Sequence, residues 1–264
     1  MVRIALGVEY DGSRFCGWQT QPDGCAVQDA LERALGEIAG EPVATVCAGR
    51  TDAGVHALGQ VVHFDTAARR PGSAWVRGVN VLLPPACAVT WSQEVAGDFH
   101  ARYSAQSRGY RYVLLNHAVR PAADHTRVGW FHVPLELEPM RRAARLLLGE
   151  HDFSAFRSAE CQARTPVRTL SRLDIARRGD YVVFDLRANA FLHHMVRNIV
   201  GCLVHVGKGG CPPEWIGEVL AGRDRTRAAP TFPAAGLYLA RVDYDARWSL
   251  PAAPRSTLLE MGNG

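Results

Sequence analysis

The chain has 264 residues, 47% apolar and 21% charged, with a formal net charge of +4. That balance excludes a disordered or low-complexity chain, and no apolar run approaches the roughly 18 residues of a membrane span. The length suits one large domain or two ordinary ones. The opening Met-Val-Arg-Ile-Ala-Leu lacks a signal-peptide layout, so a cytoplasmic protein is expected.

In chain order, Arg3 to Glu9 alternates like a strand, and Val27 to Ile38 carries apolar residues at helical spacing. Val43 to Cys47 and Gly59 to Asp65 read as strands flanking a short loop. Ser73 to Leu82 reads as a helix and Cys87 to Glu94 as a strand. The order is β-α-β-β-α-β, a ferredoxin-like unit. A second pass follows. Gly109 to Leu115 is a strand, Glu138 to Leu148 a helix, and Val167 to Ala176 with Tyr181 to Arg187 a hairpin. Leu192 to Val206 is a helix, Glu214 to Leu220 a short extra one, and Leu237 to Asp243 the closing strand. The expected fold is therefore α+β, in two ferredoxin-like halves covering residues 1–105 and 106–250. A Pro/Ala/Ser-rich tail follows over 251–264.

The seven cysteines include no C-x-x-C pair, and an odd number fits a disulfide framework poorly, so reduced thiols are expected. Lys208 is the only lysine, and arginines cluster at 102/108/111, 141/142/145, 164/168/172 and 223/225/227. Replacement of lysine by arginine on solvated faces accounts for the composition. The grouping points further, to phosphate contacts, because the guanidinium fork grips phosphates bidentately.

The loop between the second and third strands, Gly49-Arg50-Thr51-Asp52-Ala53-Gly54-Val55-His56, holds a cation, a hydroxyl and a carboxylate between two glycines. Glycines allow a sharp turn and close approach of a ligand, and loops on a rigid sheet often carry catalytic groups. The same residues would also make an ordinary turn in which the Asp bonds its own backbone. The histidines do not suggest a metal. His193 and His194 are adjacent, so on a helix they point about 100° apart, and His56 and His63 lack a nearby acid at ligand spacing. No Walker or G-x-G-x-x-G loop suggests a nucleotide, so neither metal nor cofactor is expected.

Gly49 to His56 resembles the signature of the tRNA pseudouridine synthase A family. Further islands resemble that family in its own order: Tyr10 to Gln19, Phe99 to Ala105, Asn189 to Asn198 and Gly236 to Leu239. The resemblance implies paired α+β halves flanking a basic active-site cleft, and isomerisation of uridine to pseudouridine at tRNA positions 38 to 40 in the anticodon stem-loop. It also implies a homodimer. Asp52 would be the catalytic carboxylate, attacking C6 of the base or C1′ of the sugar, or removing the 2′-proton. Arg197 would pair with Asp52, and Tyr110 would stack on the target base and serve in proton transfer. Arg50 would fill the space left by a flipped base, with Thr51, Arg164 and Arg168 also on the RNA. Two other classes use the same residues differently: a non-catalytic RNA-binding protein with two ferredoxin-like sheets, and a metal-dependent hydrolase built on the histidines.

Overall fold

In the computed structural model the described residues are 1–251, so the expected tail lies outside them apart from Pro251. The elements are β1 (Val2–Tyr10), α1 (Val27–Ala39), β2 (Val46–Cys47), β3 (His56–Thr66), α2 (Val79–Leu82) and β4 (Cys87–Val95). They continue with β5 (Ala105–Asn116), β6 (Gly129–Phe131), α3 (Leu137–Arg145), β7 (Gly149–Asp152), β8 (Val167–Arg178) and β9 (Tyr181–Ala188). The last are α4 (Met195–Gly207), α5 (Trp215–Gly222) and β10 (Leu237–Tyr244). The chain is α+β and forms two compact units. One is Met1–Gln106 with the segment from Tyr238 onward; the other is Ser107–Leu237. Among the described residues, no helix is long and apolar enough to cross a membrane.

The first unit has the β-α-β-β-α-β order read from the sequence. β1 lies between β3 and β4, antiparallel to both. The outer edge of β3 is divided. β2 takes Val62 and His63, while β10 runs parallel to β3 with Tyr238 opposite His56 and Leu239 opposite Ala57. That pairing groups β10 with the first unit, whereas alternation alone had counted it in the second half. The α1 stripe of Val27, Ala30, Leu31, Ala34 and Leu35 is buried as its spacing requires. Asp29 accepts from the Ala26 N–H at one end of the helix, and Gly40, at φ 75°, closes the other.

Several elements differ from their expected extents, β2, the 73–82 stretch and α4 among them. β2 begins at Val46 because Glu32 of α1 accepts from both the N–H and the hydroxyl of Thr45, at 2.7 and 2.9 Å, and diverts that residue from the ladder. The stretch over 73–82 is not one α-helix. It opens with a π-turn at Ala74–Gly78. α4 starts at Met195, since His194 sits in the left-handed region at φ 62° and cannot lie inside a helix.

In the second unit the strands run β5-β9-β8-β7, with β6 parallel to the end of β5. β8 and β9 form the expected hairpin, turning at Gly179 and Asp180 with Gly179 at φ 58°. Gly109 does not interrupt β5. The short strands β6 and β7 were not read from the sequence.

Candidate active site

The 48–55 loop leaves β2 at Cys47 and enters β3 at His56, and it is fixed along its length. The Gln60 side-chain amide pairs reciprocally with the Gly49 peptide, donating to its carbonyl at 2.6 Å and accepting from its N–H at 3.4 Å. The Thr51 hydroxyl bonds the Tyr10 hydroxyl at 2.8 Å, and the Thr51 carbonyl accepts from the Trp18 N–H at 2.9 Å. Val55 N–H closes a turn onto the Asp52 carbonyl at 3.1 Å. Gly54 supplies the positive φ, 78°, that the turn's third residue needs.

The opening loop after β1 supports this turn from behind. Gly54 N–H donates to the Gly12 carbonyl, and Gly12 N–H donates to His56 Nδ1 at 3.1 Å. His56 Nδ1 also lies 3.2 Å from the Asp11 carboxylate. A Cβ on Gly12 would stand 1.9 Å from the Val55 carbonyl oxygen. One on Gly17, at φ 96°, would stand 3.0 Å from that of Thr51. Both glycines let two backbones touch. Asp52 itself is half-buried and Arg50 is exposed.

The expectation of reduced thiols throughout is corrected here. Cys16 and Cys25 form a disulfide, with Cα atoms 5.5 Å apart, across the segment that joins the opening loop to α1. Without a C-x-x-C spacing, only the fold could reveal that these two meet. Burial pushes the thiols of Cys47 and Cys87 up to about 12, and that of Cys202 up to about 11, so none is a thiolate nucleophile at neutral pH.

The second unit holds the remaining candidates. Tyr110 lies half-buried on β5, its ring edge-on to Phe191 at 4.9 Å. Tyr112, two residues on, is fully buried. It donates to the Pro233 carbonyl at 2.9 Å, and burial holds its phenol well above the usual range. One tyrosine is core; the other is partly accessible. Arg197 on α4 is half-buried, and its Nε donates to the Phe232 carbonyl at 2.8 Å while the Phe232 N–H donates back to the Arg197 carbonyl.

The arginine clusters separate by environment. Arg111 makes a bidentate pair with Asp185 at 2.8 and 3.0 Å. Arg142 pairs with Glu214, Arg223 with Asp152, and Arg225 bonds Asn198 and Thr231. Of these, Arg142 and Arg223 keep much of their side chains exposed. Arg164 is exposed. Arg168 gives Nη1 to the carbonyls of Thr165 and Val167, while its Nε is buried with no hydrogen-bond partner among the described residues.

His63 and His56 are tied into the fold. His63 Nδ1 accepts from the Ala101 N–H at 3.1 Å, and His56 stacks on Tyr238 at 4.6 Å. His193 and His194 are not on a helix as the sequence suggested. They precede α4, with ring centroids 4.1 Å apart. The sequence reading gave Gln60, Tyr10 and Trp18 no part in holding the loop. The signal for Gln60 was available: a polar side chain heading the apolar run Val61-Val62.

A family model described as tRNA pseudouridine synthase matches residues 7–104 and 143–245. The first segment carries Asp52 and the second Arg197; Tyr110 lies between them. The chain is 63% identical over 251 residues to the tRNA pseudouridine synthase A of Thiobacillus denitrificans, covering 95% of this chain and 96% of that one. It is 60% identical over 252 residues to the enzyme of the same name from Burkholderia multivorans, covering 96% and 93%. For that of Dechloromonas aromatica the identity is 59% over 250 residues, covering 95% of each.

Proposed function

The chain belongs to the tRNA pseudouridine synthase family, and we propose that its Asp52 is the carboxylate through which it converts uridine to pseudouridine. As a tRNA pseudouridine synthase it is an isomerase. The N1–C1′ glycosidic bond breaks, the uracil turns, C5 bonds to C1′ and gives up its proton, and N1 takes one up. Product and substrate have the same composition, so the chain's own groups suffice: an ionised carboxylate, a cation to hold it, and a surface for the base. The target is uridine at positions 38, 39 and 40 of the anticodon stem-loop.

The observation that carries this reading is the family match across the two segments that hold Asp52 and Arg197. Asp52 acts as nucleophile or base. Arg197 supplies the positive charge that keeps a carboxylate ionised away from bulk water. Tyr110 offers its ring to the uracil and its hydroxyl for proton transfer near C5. Arg50, exposed beside Asp52, occupies the stack vacated by the flipped base, and Thr51 lines the same loop. Arg164, which is exposed, and Arg168 hold phosphate. The protein works as a cytoplasmic homodimer without metal or cofactor.

The test is incubation of wild type and Asp52→Asn with unmodified tRNA in excess chelator, followed by assay for pseudouridine. Wild type should form pseudouridine under chelation, and Asp52→Asn should bind tRNA but form none. Turnover by Asp52→Asn within tenfold of wild type removes Asp52 from the reaction. Loss of wild-type activity in chelator restores the metal-dependent reading.

A further inference from the structure

Gln60 is wholly buried in the middle of β3, and Tyr10, at the end of β1, is 4% exposed. Neither is near enough to solvent to meet RNA. Yet both spend their polar atoms on the loop that carries Asp52. We propose that Gln60 and Tyr10 are positioning residues, joined to Thr51 in a hydrogen-bond chain that fixes the backbone on either side of the Asp52 carboxylate. The inference rests on Asp52 being the reacting carboxylate.

Gln60 holds both ends of the chain together. Gln60 Nε2 has two protons; one goes to the Gly49 carbonyl at 2.6 Å and the other to the Tyr10 hydroxyl at 3.5 Å. Its Oε1 takes the Gly49 N–H. The Tyr10 oxygen, accepting from Gln60, also bonds Thr51 Oγ1 at 2.8 Å, with either hydroxyl able to donate. The amide thus imitates a strand neighbour for Gly49, three residues before Asp52, and the phenol anchors the residue directly before it. The Trp18 N–H and Gly54 N–H complete the fixation at the Thr51 carbonyl and just past Asp52. A carboxylate on a glycine-flanked loop would otherwise sample several positions. A reacting group displaced by about 1 Å can cost about a hundredfold in rate. For Thr51 the geometry makes its buried hydroxyl the link between scaffold and loop.

Tyr10→Phe removes one oxygen and keeps the ring contacts with Phe15 and Trp18, so the fold survives. Gln60→Met keeps the length and volume but leaves the Gly49 peptide unpaired. Three quantities are measured: the melting temperature, the affinity for unmodified tRNA, and the single-turnover rate at saturating enzyme. Each variant should lose roughly tenfold or more in single-turnover rate while tRNA affinity stays within about twofold. Because both act through one chain, the double variant should lose less than the product of the two single losses. Wild-type single-turnover rates in both variants, whatever the melting temperatures, overturn the proposal. So does a loss that appears only as weaker binding. Asp52→Asn run alongside separates the two possible failures. If it is inert while Tyr10→Phe and Gln60→Met are fully active, only the positioning role falls. If it turns over like wild type, the catalytic reading of Asp52 falls first.

Discussion

Replacing His63 by Gln should flatten the acid limb of the protein's stability curve. His63 is 4% exposed on β3, and burial holds its imidazolium pKa down at about 4; the positive charges of Arg3 and His100 act in the same sense, and Asp65 opposes them. The hydrogen bonding agrees, since Nδ1 accepts from the Ala101 N–H and a proton placed there would face a donor. In the unfolded chain His63 titrates near its ordinary 6.5. The folded value is the lower one, so His63's contribution is complete above about pH 6.5, declines as the pH falls toward 4, and changes no further below. Over that whole window the difference is at most about 3 kcal/mol, and from pH 6 to pH 5 about 1 kcal/mol. Urea denaturation of wild type and His63→Gln at half-unit steps from pH 7 to pH 4.5 measures it. Carboxylates titrate in both proteins and cancel in the difference. The wild type should lose about 1 kcal/mol more than the variant between pH 6 and pH 5. Parallel stability curves would mean that His63 takes up its proton in the folded state at an ordinary pH, which would refute the burial argument.

Arg197→Ala should reduce single-turnover rate far more than tRNA affinity, and Arg197→Lys should restore only part, since a point charge does not reproduce the planar fork; wild-type turnover in Arg197→Ala removes it from the site. Charge reversal at Arg164 and Arg168 together should weaken tRNA binding and reduce its salt dependence, with single-turnover rate unchanged at saturating enzyme; an unaltered salt slope contradicts the phosphate contacts. Gly17→Ala should cost about 1–2 kcal/mol for its positive φ alone, and its Cβ, 3.0 Å from the Thr51 carbonyl, should also slow turnover; a variant as stable as wild type would contradict that backbone contact.

Most of the fold was legible because periodicity and burial agree where an element is long. α1, β1, β4 and the β8–β9 hairpin carry their apolar residues at the expected spacing, and local preference and packing there favour the same state. The misses arise where one long-range contact overrides local preference. Glu32 takes Thr45 out of β2, and the left-handed His194 delays α4. β6 and β7 are too short to show a period. For the site, Gly49 to His56 announced itself through its residue types, whereas its support did not. Tyr10, Trp18 and Gln60 reach the loop from β1, the opening loop and β3, and nothing in the spacing of these three residues says that they converge. The Cys16–Cys25 bond was hidden for the same reason.

The division of the β3 edge has a consequence for how the protein is made. His56, which receives the Gly12 N–H behind the Asp52 turn, is paired and stacked with Tyr238, far downstream of it in the chain. A ribosome adding about 5–20 residues per second reaches Tyr238 roughly ten to forty seconds after His56. Throughout that interval the nascent chain carries every residue of the Gly49–His56 loop without the strand that completes its base. A polypeptide stopped short of β10 would therefore contain the whole signature and still lack its full support, which ties maturation of the Asp52 loop to synthesis of β10.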